Sequence, residues 1–323
     1  MGAPSCSVVL ASHELTEPFF ESVQSALIAL ERCPGAVECV VVLDGRPTQD
    51  RHRVLARFSA GQVPLHVSCM PAGGLTRALI EGCDRAQGAF LARLDVGDLM
   101  THDRLALQLS AMSADPHCVL ATSAVEVCGP RWESLWVNRG TESLAGFPTR
   151  VDQSPPTEGL VMDIPHHSSV MFRRSAYEAV GGYRKAFYFG QDWDLWYRLA
   201  TAGTFVHLPQ VLTRVRLFSQ GLSSRHWREQ RDIASLSLAC YVARSHGQPE
   251  TTLLQQAAAI LPKPKEESLF PWDGRRAEGA YFIAEALRRN RDPRCHCYFL
   301  EAIRLGFWKP RIWLRLIQSL SLL

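Results

Sequence analysis

The sequence predicts an α/β protein: a doubly wound, mixed but mainly parallel sheet followed by a helical C-terminal region. Three observations carry this. Short apolar runs alternate with amphipathic segments through the first hundred residues. Those runs end at glycine, serine or a carboxylate, as strands delivering polar groups to a sheet edge do. Beyond about residue 225 the strand signals give way to helical spacing.

Ser7–Ala11 reads as the first strand, and Glu17–Leu30 as an amphipathic helix closed by Pro34-Gly35. Glu38–Leu43 is a second strand, stopped by Asp44-Gly45, with helical residues from Gln49 to Phe58. Pro64–Ser68 reads as a third strand, Leu75–Ala86 as a helix, and Ala89–Leu94 as a fourth strand. Alternation of this kind implies crossover connections and a parallel sheet. Thr101–Ala114 is helical, and Gly129–Pro165 is irregular and rich in glycine and proline, so it is either a functional loop or an insertion. A strand then follows His166-His167-Ser168-Ser169, and a further helix opens at Asp192. Residues 226–246, 251–261 and 277–305 are helical, the last broken near Pro293, with a linker from Pro262. These signals divide the chain at residues 1–225 and 226–323.

The 323 residues are 46% apolar and 21% charged, which is ordinary for a globular protein with a large core. A formal net charge of +3, without long basic blocks, argues against a nucleic-acid partner. Ten cysteines lie scattered, mostly in apolar segments and without C-x-x-C spacing. Reduced thiols in a cytoplasmic setting are therefore expected. No secretory leader or apolar run of membrane-spanning length is visible.

Three strand ends carry the chemistry: Ser12-His13-Glu14, Asp44-Gly45-Arg46, and Asp95-Val-Gly-Asp98. Each alone is what a turn requires, and an isolated D-x-G-D is more often only a turn. Together on one sheet edge they form a nucleotide pocket, where paired carboxylates suit a hard divalent cation. Neither G-x-G-x-x-G nor a P-loop is present. Further on, Asp192 and Asp194 open a helix where acids cap and offset the dipole. Interleaved with Trp193 and Trp196, they also suit a general base beside a sugar-binding ring. The His166-His167 pair is more often packing than catalysis.

In these segments the chain resembles the inverting, GT-A-fold glycosyltransferases of family 2. The resemblance runs through Ser7–Glu14, Glu38–Gly45, Gly73–Leu79, Gly88–Asp98, His167–Arg173, Gly181–Tyr183 and Gln191–Arg198, in the family's order, and fades beyond about Ser224. It implies a nucleotide-sugar donor, UDP-linked, contacted by Ser12, Glu14, Asp44, Arg77, Asp95 and Arg216. It implies Mn2+ or Mg2+ on Asp95 and Asp98, Asp192 as the catalytic base, and His167, Gln191, Trp193 and Asp194 on the acceptor side. The acceptor would be a glycan, a lipid-linked sugar or a small molecule. Three positions depart from the pattern: Gly97 replaces a carboxylate of D-x-D-D, Leu43 replaces an Asp, and Phe218 replaces the histidine of the distal Arg-x-His. Arg214 and Arg216 remain to neutralise a diphosphate.

Gly97 also motivates a second class, a degenerate transferase-like scaffold that binds without turnover. A nucleotidyltransferase would need a glycine-rich, lysine-bearing N-terminal loop that is missing here. The apolar Arg311–Leu323 segment, with Trp308 and Trp313 nearby, suits a peripheral contact with a membrane or packing on other helices or in a homodimer, and its few basic residues favour packing.

Overall fold

The computed structural model describes residues 5–139, 165–218, 227–262 and 273–320. The chain forms two compact units, one of Met1–Val125, Arg139–Arg214 and Arg231–Leu261, the other of Glu126–Asn138, Val215–Gln230 and Pro262–Leu323.

The first unit is built from β1 (Cys6–Ser12), α1 (Glu17–Glu31), β2 (Val37–Asp44), α2 (Thr48–Arg57), β3 (Leu65–Met70), α3 (Leu75–Arg85) and β4 (Phe90–Arg93). The short β5 (Leu99–Met100), α4 (Arg104–Ala114) and β6 (Cys118–Cys128) follow. After β7 (Ser134–Asn138) come β8 (Met171–Arg173), α5 (Arg174–Ala179), α6 (Gln191–Leu199) and β9 (Thr204–Arg216). Two further helices, α7 (Trp227–Ser245) and α8 (Thr251–Ala259), complete this part of the chain.

The strand order is β3-β2-β1-β4-β8-β6-β9-β5. β1 pairs in parallel with β2 and β4, and β2 with β3, whereas β8 runs antiparallel to both β4 and β6. The sheet is thus the mixed, doubly wound one expected. Alternation along each strand buries both faces. Val8, Leu10, Val41 and Leu43 pack under α1 and α4, while Val9, Val40 and Val42 pack under α3 and α6. Three crossovers, through α1, α2 and α3, join the four parallel strands and leave the C-terminal ends of β1, β2 and β4 on one edge.

The sequence reading missed β5, β6, β7 and β9. β7 lies inside the stretch expected to be irregular, and residues 140–164 of that stretch lie outside the described residues. β6 contains Ala121, Ser123 and Ala124 among its apolar residues, small side chains that carry little strand preference of their own.

The second unit contains β7, α9 (Gly274–Arg289), α10 (Cys295–Gly306) and α11 (Pro310–Leu320). Asp273 caps α9 through the backbone N–H groups of Arg275 and Arg276. α9 and α10, separated near Pro293 as the sequence predicts, form a hairpin that Tyr298 ties to Glu133 by a 2.7 Å hydrogen bond. No disulfide joins the described cysteines.

Candidate active site

The turn after β4 is held by a network of hydrogen bonds with β1, α1 and the segment before β8. Arg93, the last residue of the otherwise apolar β4, is fully buried. Its guanidinium donates to the Val9 carbonyl and, at 2.8 Å, to Asp95 Oδ1. The Asp95 N–H donates to Ser168 Oγ at 2.8 Å, and that hydroxyl donates to Asp98 Oδ2 at 2.5 Å. Asp98 N–H closes the turn on the Asp95 carbonyl at 3.1 Å. Between them Gly97 has φ +103°, a conformation that favours glycine, and donates to Ser22 Oγ at 2.9 Å. The glycine that departs from the family pattern is therefore what this turn's backbone requires.

His167 connects this turn to the opposite wall. Its Nδ1 lies 3.2 Å from the Asp95 carboxylate, which only accepts, so the ring carries a proton on Nδ1. Its Nε2 lies 2.9 Å from the buried Tyr183 hydroxyl. Burial by itself would raise the Asp95 carboxyl, but the His167 ring and the Arg93 guanidinium hold it well below the usual carboxylate range. Burial also pushes the Tyr183 phenol up, keeping its proton. Arg104 of α4 fixes the segment from behind, donating to the carbonyls of Ser168, Arg93 and Val170 at 2.5, 2.9 and 3.0 Å. Burial pulls this guanidinium down to about 9.

The two acids of α6 have different surroundings. Asp194 is 1% exposed and bridged by Arg198 at 2.6 Å and by Arg184, which also holds Glu250 of the α7–α8 connection. Asp192 is half-buried and takes no hydrogen bond or ion pair among the described residues. His166 sits within the field of both Asp95 and Asp192. Burial lowers its imidazole below the ordinary range, against the pull of those carboxylates. Gln191 is buried at the start of the helix and Trp193 half-buried. Trp196 is fully buried, donates to the Pro165 carbonyl at 3.3 Å and packs on Phe172 and His167. It is a core residue and no sugar platform.

At the end of β2, Asp44 accepts the N–H groups of Gly73 and Gly74 at 2.7 and 2.9 Å. Gly74, at φ +83°, starts α3 so close to Tyr188 that a Cβ would lie 2.7 Å from the ring. Asp44 thereby fixes the loop that leads into α3, whose first turn carries the exposed Arg77. Ser12 accepts the Glu14 N–H at 3.2 Å and donates to the Glu14 carbonyl at 2.6 Å, while the Glu14 side chain is exposed beside His13. Arg216 belongs to the second unit, where it stacks on Trp132 with its guanidinium carbon 4.2 Å from the ring centroid. The structure thus brings Asp95, Asp98 and His167 into one network, and His166 into the field of Asp192. Arg93, Ser168, Tyr183 and Arg104 were not singled out from sequence. A lone arginine inside the apolar Phe90–Leu94 run was the available signal.

A family model described as "Glycosyl transferase family 2" matches residues 8–181, just over half of the chain. An uncharacterized glycosyltransferase of Haemophilus influenzae is 25% identical over 222 residues, covering 68% of this chain and 78% of that protein. Among solved structures, S. aureus TarS 1-349 aligns with 98% of this chain and 88% of its own, at TM-score 0.53 and 13% identity. TarS 1-349 in complex with UDP-GlcNAc gives TM-score 0.52 and 12% identity over 98% and 89% of the two chains. The mannosyltransferase PcManGT from Pyrobaculum calidifontis, in complex with GDP-Man and Mn2+, gives TM-score 0.52 and 18% identity over 99% and 86%. At these identities the likeness establishes the shared GT-A fold.

Proposed function

The chain belongs to glycosyltransferase family 2, and from that premise we propose that it is an inverting transferase using a UDP-linked sugar, with Asp192 as general base. The acceptor offers a hydroxyl on a glycan, a lipid-linked sugar or a small molecule. The observation that carries this reading is the contrast within α6. Asp194 is consumed by two arginines, whereas the Asp192 carboxylate is left without a partner among the described residues and acts on His166, which also feels Asp95. A base must be unengaged to take a proton, and only one of the two acids is.

In the proposed reaction the acceptor oxygen attacks the anomeric carbon as Asp192 takes its proton. The bond from that carbon to the diphosphate oxygen breaks on the opposite face, and the nucleoside diphosphate leaves. Ser12, Glu14 and Asp44 lie at strand ends that suit the nucleoside, with Arg77 one turn into α3. Arg216 is assigned to the diphosphate by resemblance alone.

The donor set of the Asp95 turn suits a hard cation, since it consists of carboxylate oxygens, that of Asp95 held well below the usual carboxylate range. The Asp95 side chain is 31% exposed and Asp98 5%, so Asp95 is the more accessible ligand and Asp98 the supporting one. Mn2+ or Mg2+ there would neutralise charge on the diphosphate. PcManGT, with its Mn2+ and GDP-Man, and TarS, with UDP-GlcNAc, support a nucleotide-sugar donor and a divalent ion at this fold.

Asp192→Asn tests the assignment. Release of UDP from UDP-sugars should fall about 10²–10⁴-fold, while calorimetric UDP binding stays near the parent's. Near-native turnover would remove Asp192 from its role. A parent chain that binds UDP but releases none from any sugar nucleotide would favour the scaffold reading that Gly97 motivates.

A further inference from the structure

The second unit ends in a helix that uses only part of its surface. On α11, Ile312 is buried and Ser319 with it, whereas Trp313, Leu314, Ile317 and Leu320 are between 45% and 63% exposed. At 3.6 residues per turn these four fall on one continuous arc. Phe307 and Trp308 extend the patch into the α10–α11 turn, their rings edge to face at 5.4 Å and both about half exposed. Trp313 Nε1 donates to the Phe307 carbonyl at 2.9 Å, so the aromatic cluster is held in place. Leu300 and Arg304, exposed on α10, share a face with Phe307 by i, i+4, i+7 spacing.

Charge collects in the same part of the chain. Residues 262–323 carry twelve Lys and Arg against seven Asp and Glu, a net +5, although the whole chain is only +3. Lys309 and Arg311 share the single carboxylate of Glu278, and Arg315 lies 3.6 Å from Glu285. Arg289, Arg291 and Arg304 are exposed and form no ion pair among the described residues.

We propose that this face docks on an anionic lipid surface, with α11 lying in the plane of the interface. Its 11 described residues span about 16 Å at ~1.5 Å each, against a hydrocarbon core of about 30 Å, and no described helix is long and apolar enough to cross a membrane. Tryptophan, phenylalanine and leucine on one face suit an interfacial helix, and basic side chains near an anionic surface add electrostatic attraction. A second copy packed symmetrically on the same face would bring two surplus positive charges together, whereas a leaflet of acidic phospholipid complements them. This inference is independent of the sugar-transfer reading.

The experiment is co-sedimentation of the full chain with vesicles of phosphatidylcholine alone or mixed with phosphatidylglycerol, at low and high salt. Binding is expected only to the phosphatidylglycerol vesicles and should weaken as salt rises. Ile317→Glu with Leu320→Glu should lower partition at least tenfold, with unchanged circular dichroism. Arg289→Glu with Arg304→Glu, which leaves the apolar arc intact, should lower it as well. Equal binding to neutral vesicles, undiminished binding by both variants, or no binding at all would overturn the proposal. So would a parent that sediments as a dimer and becomes monomeric in the Ile317→Glu, Leu320→Glu variant, which would assign the face to self-association.

Discussion

Replacing Asp194 with Asn should damage the fold, whereas the same change at Asp192 should damage only turnover. Asp194 is 1% exposed, and both of its oxygens face guanidinium groups: Arg184 from the loop before α6 and Arg198 one turn along the helix. Removing one partner of a buried pair typically costs about 3–5 kcal/mol, because the remaining charge stays buried and uncompensated. Here Arg184 keeps Glu250 and is partly exposed, so the loss falls mainly on Arg198. Arg198 retains a 2.7 Å hydrogen bond to the Val180 carbonyl, which places the expected cost near the lower bound, about 3 kcal/mol. For a unit of this size that corresponds to a fall of roughly 6–12 °C in Tm. Urea unfolding of the parent, Asp192→Asn and Asp194→Asn measures it directly. If Asp194→Asn is as stable as the parent, or Asp192→Asn loses as much, the division of labour between the two acids is wrong.

Asp95 has a carboxyl held below its unfolded value of about 3.9. Its contribution to stability is therefore complete above that value and is lost as pH falls through the folded value. Urea midpoints from pH 7 down to 3 should lose this contribution only below about pH 4, and Asp95→Asn should flatten that acid-side decline. Parallel profiles would contradict the pairing with Arg93 and His167. Chelation by EDTA should weaken UDP binding and slow UDP release, with Mn2+ or Mg2+ restoring both; insensitivity would leave Asp95 and Asp98 without a metal role. Gly97→Ala should destabilise by about 1 kcal/mol or more, read from urea unfolding, because alanine is strained at φ +103°. A neutral result would mean that the turn tolerates a side chain and that its glycine needs another explanation.

The parallel half of the sheet was legible because its strands are buried on both faces and so read as nearly continuous apolar runs, as Val8–Ala11 and Cys39–Leu43 do. The antiparallel half was not. β9 alternates apolar residues with Thr204, Gln210, Thr213 and Arg214 and crosses Pro209, so no apolar run marks it. β5 is only two residues long, and its pairing to Arg214 and Thr213 depends on a partner more than a hundred positions away. Local pattern carries no information about such a contact.

The chemistry divides in the same way. Residues that follow parallel strands could be placed from sequence, because the topology itself sends them to one edge. What each of them does there is decided by distant partners. Asp192 and Asp194 stand two positions apart in one helical turn, and nothing local separates a base from a buried counter-ion. The separation comes from Arg184, ten residues before Asp194, and from Glu250, which draws that arginine in from the other side. Gly97 makes the complementary point. Read against a motif, it is a missing carboxylate; read with its φ and its bond to Ser22, it sets the turn that holds Asp95 and Asp98 to one serine hydroxyl. A substitution that restored the motif at that position would therefore act first on the backbone, and any effect on metal or donor binding would have to be separated from the strain it introduces.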